Sequence, residues 1–227
     1  MTFIYNFNIG GAITILTSDT RQTIEIMGHK FKVKDAEKKI FQLSDYLIAG
    51  GGGENNIVDF ILEELKGLDL KYIDDCLDVM DNISSKIDSV FYSNKNKGTY
   101  AQFFLVGFNQ SGQSGYVYYN TDSEDKVLSN LLPKGKFHAA VASPSNEIFD
   151  EAETQVMKPN LSGIQNMNIF AEKVTNYLSE IQKNMYLIDE MSVSDTFCYH
   201  VMYWDYKKNK VCHIADRQKL DVYEVKK

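Results

Sequence analysis

Strand-forming and helix-forming stretches alternate in blocks along this chain: strands, two helices, strands, two helices, strands. The first block opens with residues 3–9 and 13–17, both rich in aromatic and β-branched residues, around Gly10-Gly11. Glycine tolerates positive φ at both central positions of a tight hairpin turn, so these stretches read as one hairpin. Residues 23–33 and 40–49 continue the block as β-rich segments. Ile57, Val58, Ile61, Leu62 and Leu65 form an apolar stripe at helical spacing, with Asn55 or Asn56 as its expected cap. Ile73, Leu77, Met80, Ile87 and Phe91 mark a second helix, and residues 93–98 a polar break. Strands follow at 100–108, 116–119 and 137–142, then helices at 147–157 and 164–188. A hairpin of residues 197–204 and 211–215 closes the chain. No linker or internal repeat interrupts this order. It predicts an α+β chain: two stacked sheets with helices on both outer faces, a four-layer αββα sandwich in one domain over residues 1–227.

Charge and cysteine content narrow the function. A net charge of −7 leaves no basic face, which argues against nucleic acid and acidic membrane surfaces as partners. The three cysteines, Cys76, Cys198 and Cys212, are odd in number and lack CxxC spacing, as expected of reduced thiols. No apolar run reaches about 18 residues and no signal-peptide pattern opens the chain, so a cytoplasmic protein without a membrane span is expected. His29, His138, His200 and His213 are scattered, and no metal or cofactor is expected. The acidic run Asp74, Asp75, Asp78 and Asp81 reads as a solvated helix face.

The first hairpin also places chemistry. A two-residue turn at Gly10 and Gly11 sets Thr2 opposite Asp19 and Ile4 opposite Thr17. With Met1 removed, Thr2 carries a free α-amine, which titrates near about pH 8 and so supplies some neutral base. An adjacent amine is one of the few ways to activate a Thr hydroxyl. A nearby Lys ammonium assists the loss of that proton, with Lys39 as the candidate and Asp19 as the acid that holds it. Acyl transfer further needs an amide N–H aimed at the oxyanion, and Gly50 to Gly53 offer backbone without a Cβ in the way.

Asp19-Thr20-Arg21, followed by Lys38-Lys39-Ile40-Phe41-Gln42-Leu43-Ser44-Asp45 and the Gly50 to Gly53 turn, resembles proteasome β-subunits and their bacterial ring-peptidase relatives, among the N-terminal-nucleophile (Ntn) hydrolases. The resemblance implies Thr2 as nucleophile, Asp19 and Lys39 as its assistants and Gly53 as the oxyanion donor. Counted without a gap from Asp19, the nucleophile position falls on Phe3; the hairpin pairing moves it to Thr2. Val141-Ala142-Ser143-Pro144-Ser145 resembles the strand and turn that carry the family's first assisting Ser, here Ser145. The segment from Asp189 to Ser194 resembles an Asp-x-x-Ser element, here giving Ser194, with Met191 in the acid's place. Gly51 and Gly52 would open the first specificity pocket. What is implied is a threonine peptidase acting on a peptide or amide substrate, assembled as a homo-oligomer, in stacked rings, with an unfoldase as partner. A catalytically inactive scaffold or ligand-binding member of the fold and a small-amide acylase are the alternatives.

Overall fold

A computed structural model of the chain describes residues 3–27, 29–35, 38–91, 100–156 and 166–222. Among these the chain is mixed α+β, with four α-helices and three antiparallel sheets. The strands are β1 (Ile4–Ile9), β2 (Ile13–Ser18), β3 (Gln22–Ile26), β4 (His29–Lys34), β5 (Ile40–Gln42) and β6 (Leu47–Gly53), then β7 (Ala101–Phe108), β8 (Ser114–Asn120), β9 (Val127–Leu131), β10 (Phe137–Ala142), β11 (Thr196–Asp205) and β12 (Lys210–Lys219). The helices are α1 (Asn55–Lys66), α2 (Leu77–Phe91), α3 (Asn146–Val156) and α4 (Met167–Ile188), with a short 3-10 turn, Ile73–Cys76, before α2. One five-stranded sheet runs β10-β1-β2-β11-β12, the other β5-β6-β7-β8-β9, and β3-β4 pair on their own.

Strand alternation sorts the side chains into three apolar clusters. Phe3, Tyr5 and Phe7 of the first sheet pack with Ile148 and Ala152 of α3 and with Val174, Leu178 and Met185 of α4. Leu47, Ala49, Phe103, Leu105 and Val117 of the second sheet pack with Ile57, Ile61 and Leu65 of α1 and with Met80, Ile83 and Ile87 of α2. The third cluster joins the two sheets: Ile4, Leu16, Met202 and Trp204 meet Ile40, Ile48, Phe104, Val106 and Phe108. Each buried Leu, Ile or Phe contributes roughly 1.5–3 kcal/mol from burial before chain entropy is set against it.

Several local expectations change. The β1–β2 pairing runs Ile4↔Ser18 through Ile9↔Ile13, so Gly10, Gly11 and Ala12 together make the connection. That is one residue longer than a turn on Gly10-Gly11 alone. Ile4 therefore faces Ser18, not Thr17, and Asp19 N donates to Phe3 O at 3.0 Å, which puts Phe3, not Thr2, across from Asp19. The segment 23–33 is two strands, because Met27 takes a positive φ and the chain reverses. The segment 40–49 also splits, into β5 and β6, at a bend capped by Ser44 Oγ, which accepts from Tyr46 N. α1 starts after Glu54, whose carbonyl accepts from Ile57 N and Val58 N, so neither Asn55 nor Asn56 is its cap. β9 was not anticipated: its alternation is weak, with Ser129 and Asn130 exposed.

Candidate functional site

Asp19 lies just past the end of β2, fully buried, and its carboxylate is the hub of the region. Oδ1 accepts from Phe3 N at 3.0 Å and from Lys39 Nζ at 2.8 Å. Oδ2 accepts from Arg21 N at 2.9 Å and Ser194 N at 3.2 Å. A buried carboxylate persists only when its lone pairs are met in this way. The four donors come from the start of β1, the link between β2 and β3, the residue before β5, and the loop between α4 and β11.

Lys39 is drawn in by strand pairing. Its carbonyl accepts from Gly51 N at 3.3 Å, continuing the β5–β6 ladder one residue beyond Ile40↔Gly50. Its side chain then reaches the first sheet, where Nζ also donates to Arg21 O at 2.6 Å. An ammonium carries three N–H groups, and among the described residues two of them are engaged here. Ser194 joins the same cluster: Oγ accepts from Thr20 N at 2.9 Å and lies 3.1 Å from Thr20 Oγ1.

Gly53, at the end of β6, adopts φ +102, and a Cβ there would fall 2.1 Å from Tyr100 O. Only glycine fits, so the residue is fixed by backbone approach. Gly51 does not open a pocket: a Cβ on it would meet Phe103 at 2.5 Å and Val58 at 2.9 Å. The space that its missing side chain leaves is filled by the core.

Ser145 follows β10, whose Ala142 pairs with Ile4 at the start of β1. It caps α3, with Oγ accepting from Ile148 N at 3.4 Å and its carbonyl from Phe149 N at 3.0 Å. Asp189 has a separate task. Its carboxylate accepts from Met191 N and Ser192 N at 3.1 Å each and from Lys30 Nζ at 3.2 Å; burial pushes its pKa up, but the Ser192 and Lys30 hydrogen bonds and the Lys30 charge together hold it below the usual range. Ser192, three residues on, accepts through its Oγ from Lys30 Nζ at 2.8 Å. Within the segment the acid therefore partners Ser192, while Ser194 partners Asp19. Thr2, the expected nucleophile, lies outside the described residues.

Two participants were not singled out from sequence. Arg21 binds Asp35 through two guanidinium nitrogens, reaches the carbonyl of Glu190 and gives its own carbonyl to Lys39. The Phe3 amide is the second, and a backbone donor leaves no mark in residue types. No family model matches this chain, and no curated protein sequence matches it. Among the described residues no group of three or more His, Cys, Asp or Glu side chains is placed to hold a metal, and no helix is long and apolar enough to cross a membrane.

Proposed function

We propose that this chain is a four-layer αββα sandwich of the proteasome-like Ntn kind and a threonine-type amide hydrolase with Thr2 as its nucleophile. The supporting observation is that Asp19 Oδ1 takes the Phe3 N–H and the Lys39 ammonium together. Phe3 N is covalently bonded to the carbonyl carbon of Thr2, and neighbouring Cα atoms are about 3.8 Å apart. Ile4, the next residue along β1, lies on the opposite face from the Phe3 cluster. That is the face packed on β5 and β6, with Lys39 just before the first and Gly53 ending the second. The longer connection moves Phe3 opposite Asp19, and Thr2 stays the proposed nucleophile as the residue bonded to Phe3 N.

In this reading Thr2 Oγ attacks the carbonyl carbon of a peptide bond and passes its proton to the Thr2 amine. The Lys39 charge favours that proton loss, and a backbone N–H at Gly53 receives the oxyanion. Collapse breaks the C–N bond, the leaving amine takes the proton back, and water cleaves the resulting ester to release the acid and regenerate Thr2. Ser194 and Asp19 act by holding the framework. Ser145 caps α3 and in this reading remains a candidate assistant of Thr2.

The inactive scaffold is supported by a specific observation as well: each Asp19 bond also has a purely structural use, since the carboxylate ties four segments of chain. An epoxyketone probe, which needs both a free α-amine and a hydroxyl, separates the two. The wild type, recovered from its native host with Met1 removed, is expected to be labelled, and Thr2→Ala not. A wild-type mass that retains Met1, or labelling that survives in Thr2→Ala, would overturn the hydrolase reading.

A further inference from the structure

The β3–β4 hairpin wears its apolar side outward. Ile24 pairs with Phe31 and Ile26 with His29, so these side chains share one face, and alternation adds Val33. Ile24, Ile26, Phe31 and Val33 are each about half exposed, and Met27 at the tip is 96% exposed. On the opposite face Lys30 is bound to Asp189 and Ser192, and Lys32 is paired with Asp35. This reverses the usual order, in which one side of a hairpin turns its apolar residues toward the body.

The exposed fractions amount to about three fully exposed large apolar side chains, on the order of 600 Å² of apolar surface. That equals the largest patch expected on a monomer and approaches the ~800 Å² that each partner gives to a standard interface. The outward face carries no carboxylate among Ile24, Ile26, Met27, Phe31, Val33 and His29, on a chain of net charge −7. The net charge makes two copies repel at long range, and these residues add nothing to that repulsion.

We propose that the outward face of the β3–β4 hairpin is a homodimer interface, in which two hairpins pack apolar face to apolar face about a two-fold axis. A self-complementary patch of this kind closes as an isologous pair, with like residues meeting across the axis. Sheets packed in this way lie about 10 Å apart, a gap that Phe31, Ile24 and Ile26 fill. The proposal is independent of whether Thr2 is a nucleophile.

Sedimentation velocity over a concentration series tests it. The full chain is expected to sediment as a dimer at micromolar concentration and Phe31→Glu as a monomer, with unchanged circular dichroism. Should Phe31→Glu fail to fold, Ile26→Lys near the tip serves in its place, because that side chain points away from the body. A wild type that stays monomeric at high concentration, as it would if the face receives a different protein, overturns the proposal. So does an oligomer of any size that persists in folded Phe31→Glu or Ile26→Lys.

Discussion

Phe3 and Asp19 face each other across the β1–β2 hairpin and exchange two hydrogen bonds. Asp19 N donates to Phe3 O, and Phe3 N donates back to Asp19 Oδ1, each at 3.0 Å. The second replaces a strand-ladder bond with a side-chain bond, and so leaves the Asp19 carboxylate at the end of the sheet, where Lys39 reaches it. Because Asp19 and Lys39 are both almost fully buried, the pair is worth far more intact than broken.

Removing one partner is therefore the costly change. Asp19→Asn keeps the shape but strands the Lys39 ammonium, and loss of a buried charge partner costs about 3–5 kcal/mol. For a chain of this length each kcal/mol shifts Tm by roughly 2–4 °C, so a fall of about 6–20 °C is expected by calorimetry. Adding Lys39→Met to Asp19→Asn should recover part of the loss, since the stranded charge is gone. A double variant less stable than the sum of the two singles would show that the pair is not the source.

Gly53 and Gly135 make a controlled comparison. Both have positive φ, +102 and +75, but a Cβ on Gly53 collides with the Tyr100 carbonyl while one on Gly135 meets nothing within 4 Å. Gly135→Ala is expected to cost about 1 kcal/mol through backbone strain alone. Gly53→Ala must also force β6 from β7 at their last pair, Gly53↔Ala101, and should cost several times as much. Urea titration of both variants reads the difference, and equal midpoints would sink the argument.

The sequence made the sheets and their helical covers legible because alternation and helical spacing are strong where one face is buried: Tyr5 and Phe7 against Ile4, or Ile57, Ile61 and Leu65 on α1. The register of the first hairpin was not legible. Gly10-Gly11 invites a two-residue turn, and only the pairing of Ile9 with Ile13 brings Ala12 into the connection. Thr23 to Val33 reads correctly as β-rich, but the positive φ of Met27 that folds it into two strands leaves no glycine at that residue to announce it. At the site, Asp19 and Lys39 were singled out through the hairpin and the family resemblance, and Ser194 through the resemblance alone. The Phe3 amide and the Arg21 carbonyl were not, because the backbone is the same at every position.

Ser145 separates a capping role from an assisting one. Its hydroxyl accepts from Ile148 N at the first turn of α3, so Ser145→Ala should cost about 1 kcal/mol. Ser145→Asp, which restores an acceptor and places negative charge at a helix N-terminus, should recover that stability. If Ser145 acts only as a cap, probe labelling in the folded Ser145→Ala variant matches the wild type. Labelling lost at unchanged stability would return Ser145 to the site.

His200 sets an acid limit on stability. Asp45 O can only accept, so His213 Nε2 donates to it at 2.9 Å, and His213 Nδ1 is left to accept from His200 Nε2 at 3.0 Å. Burial pulls His200 down to about 4, with the neighbouring His213 and Lys38 adding to the effect. In the unfolded chain the same ring titrates near about 6.5. Below that pH the unfolded state takes up a proton that the folded state refuses, so stability falls as the pH drops from about 6.5 and the loss is complete below 4. One pKa unit is about 1.4 kcal/mol, so between pH 7 and pH 5 the loss is on the order of 2 kcal/mol. His200→Gln keeps a donor toward His213 Nδ1 but cannot titrate. Urea unfolding at pH 7, 6 and 5 should show the wild type losing about 2 kcal/mol more than this variant, and parallel pH profiles would exclude His200 as the cause.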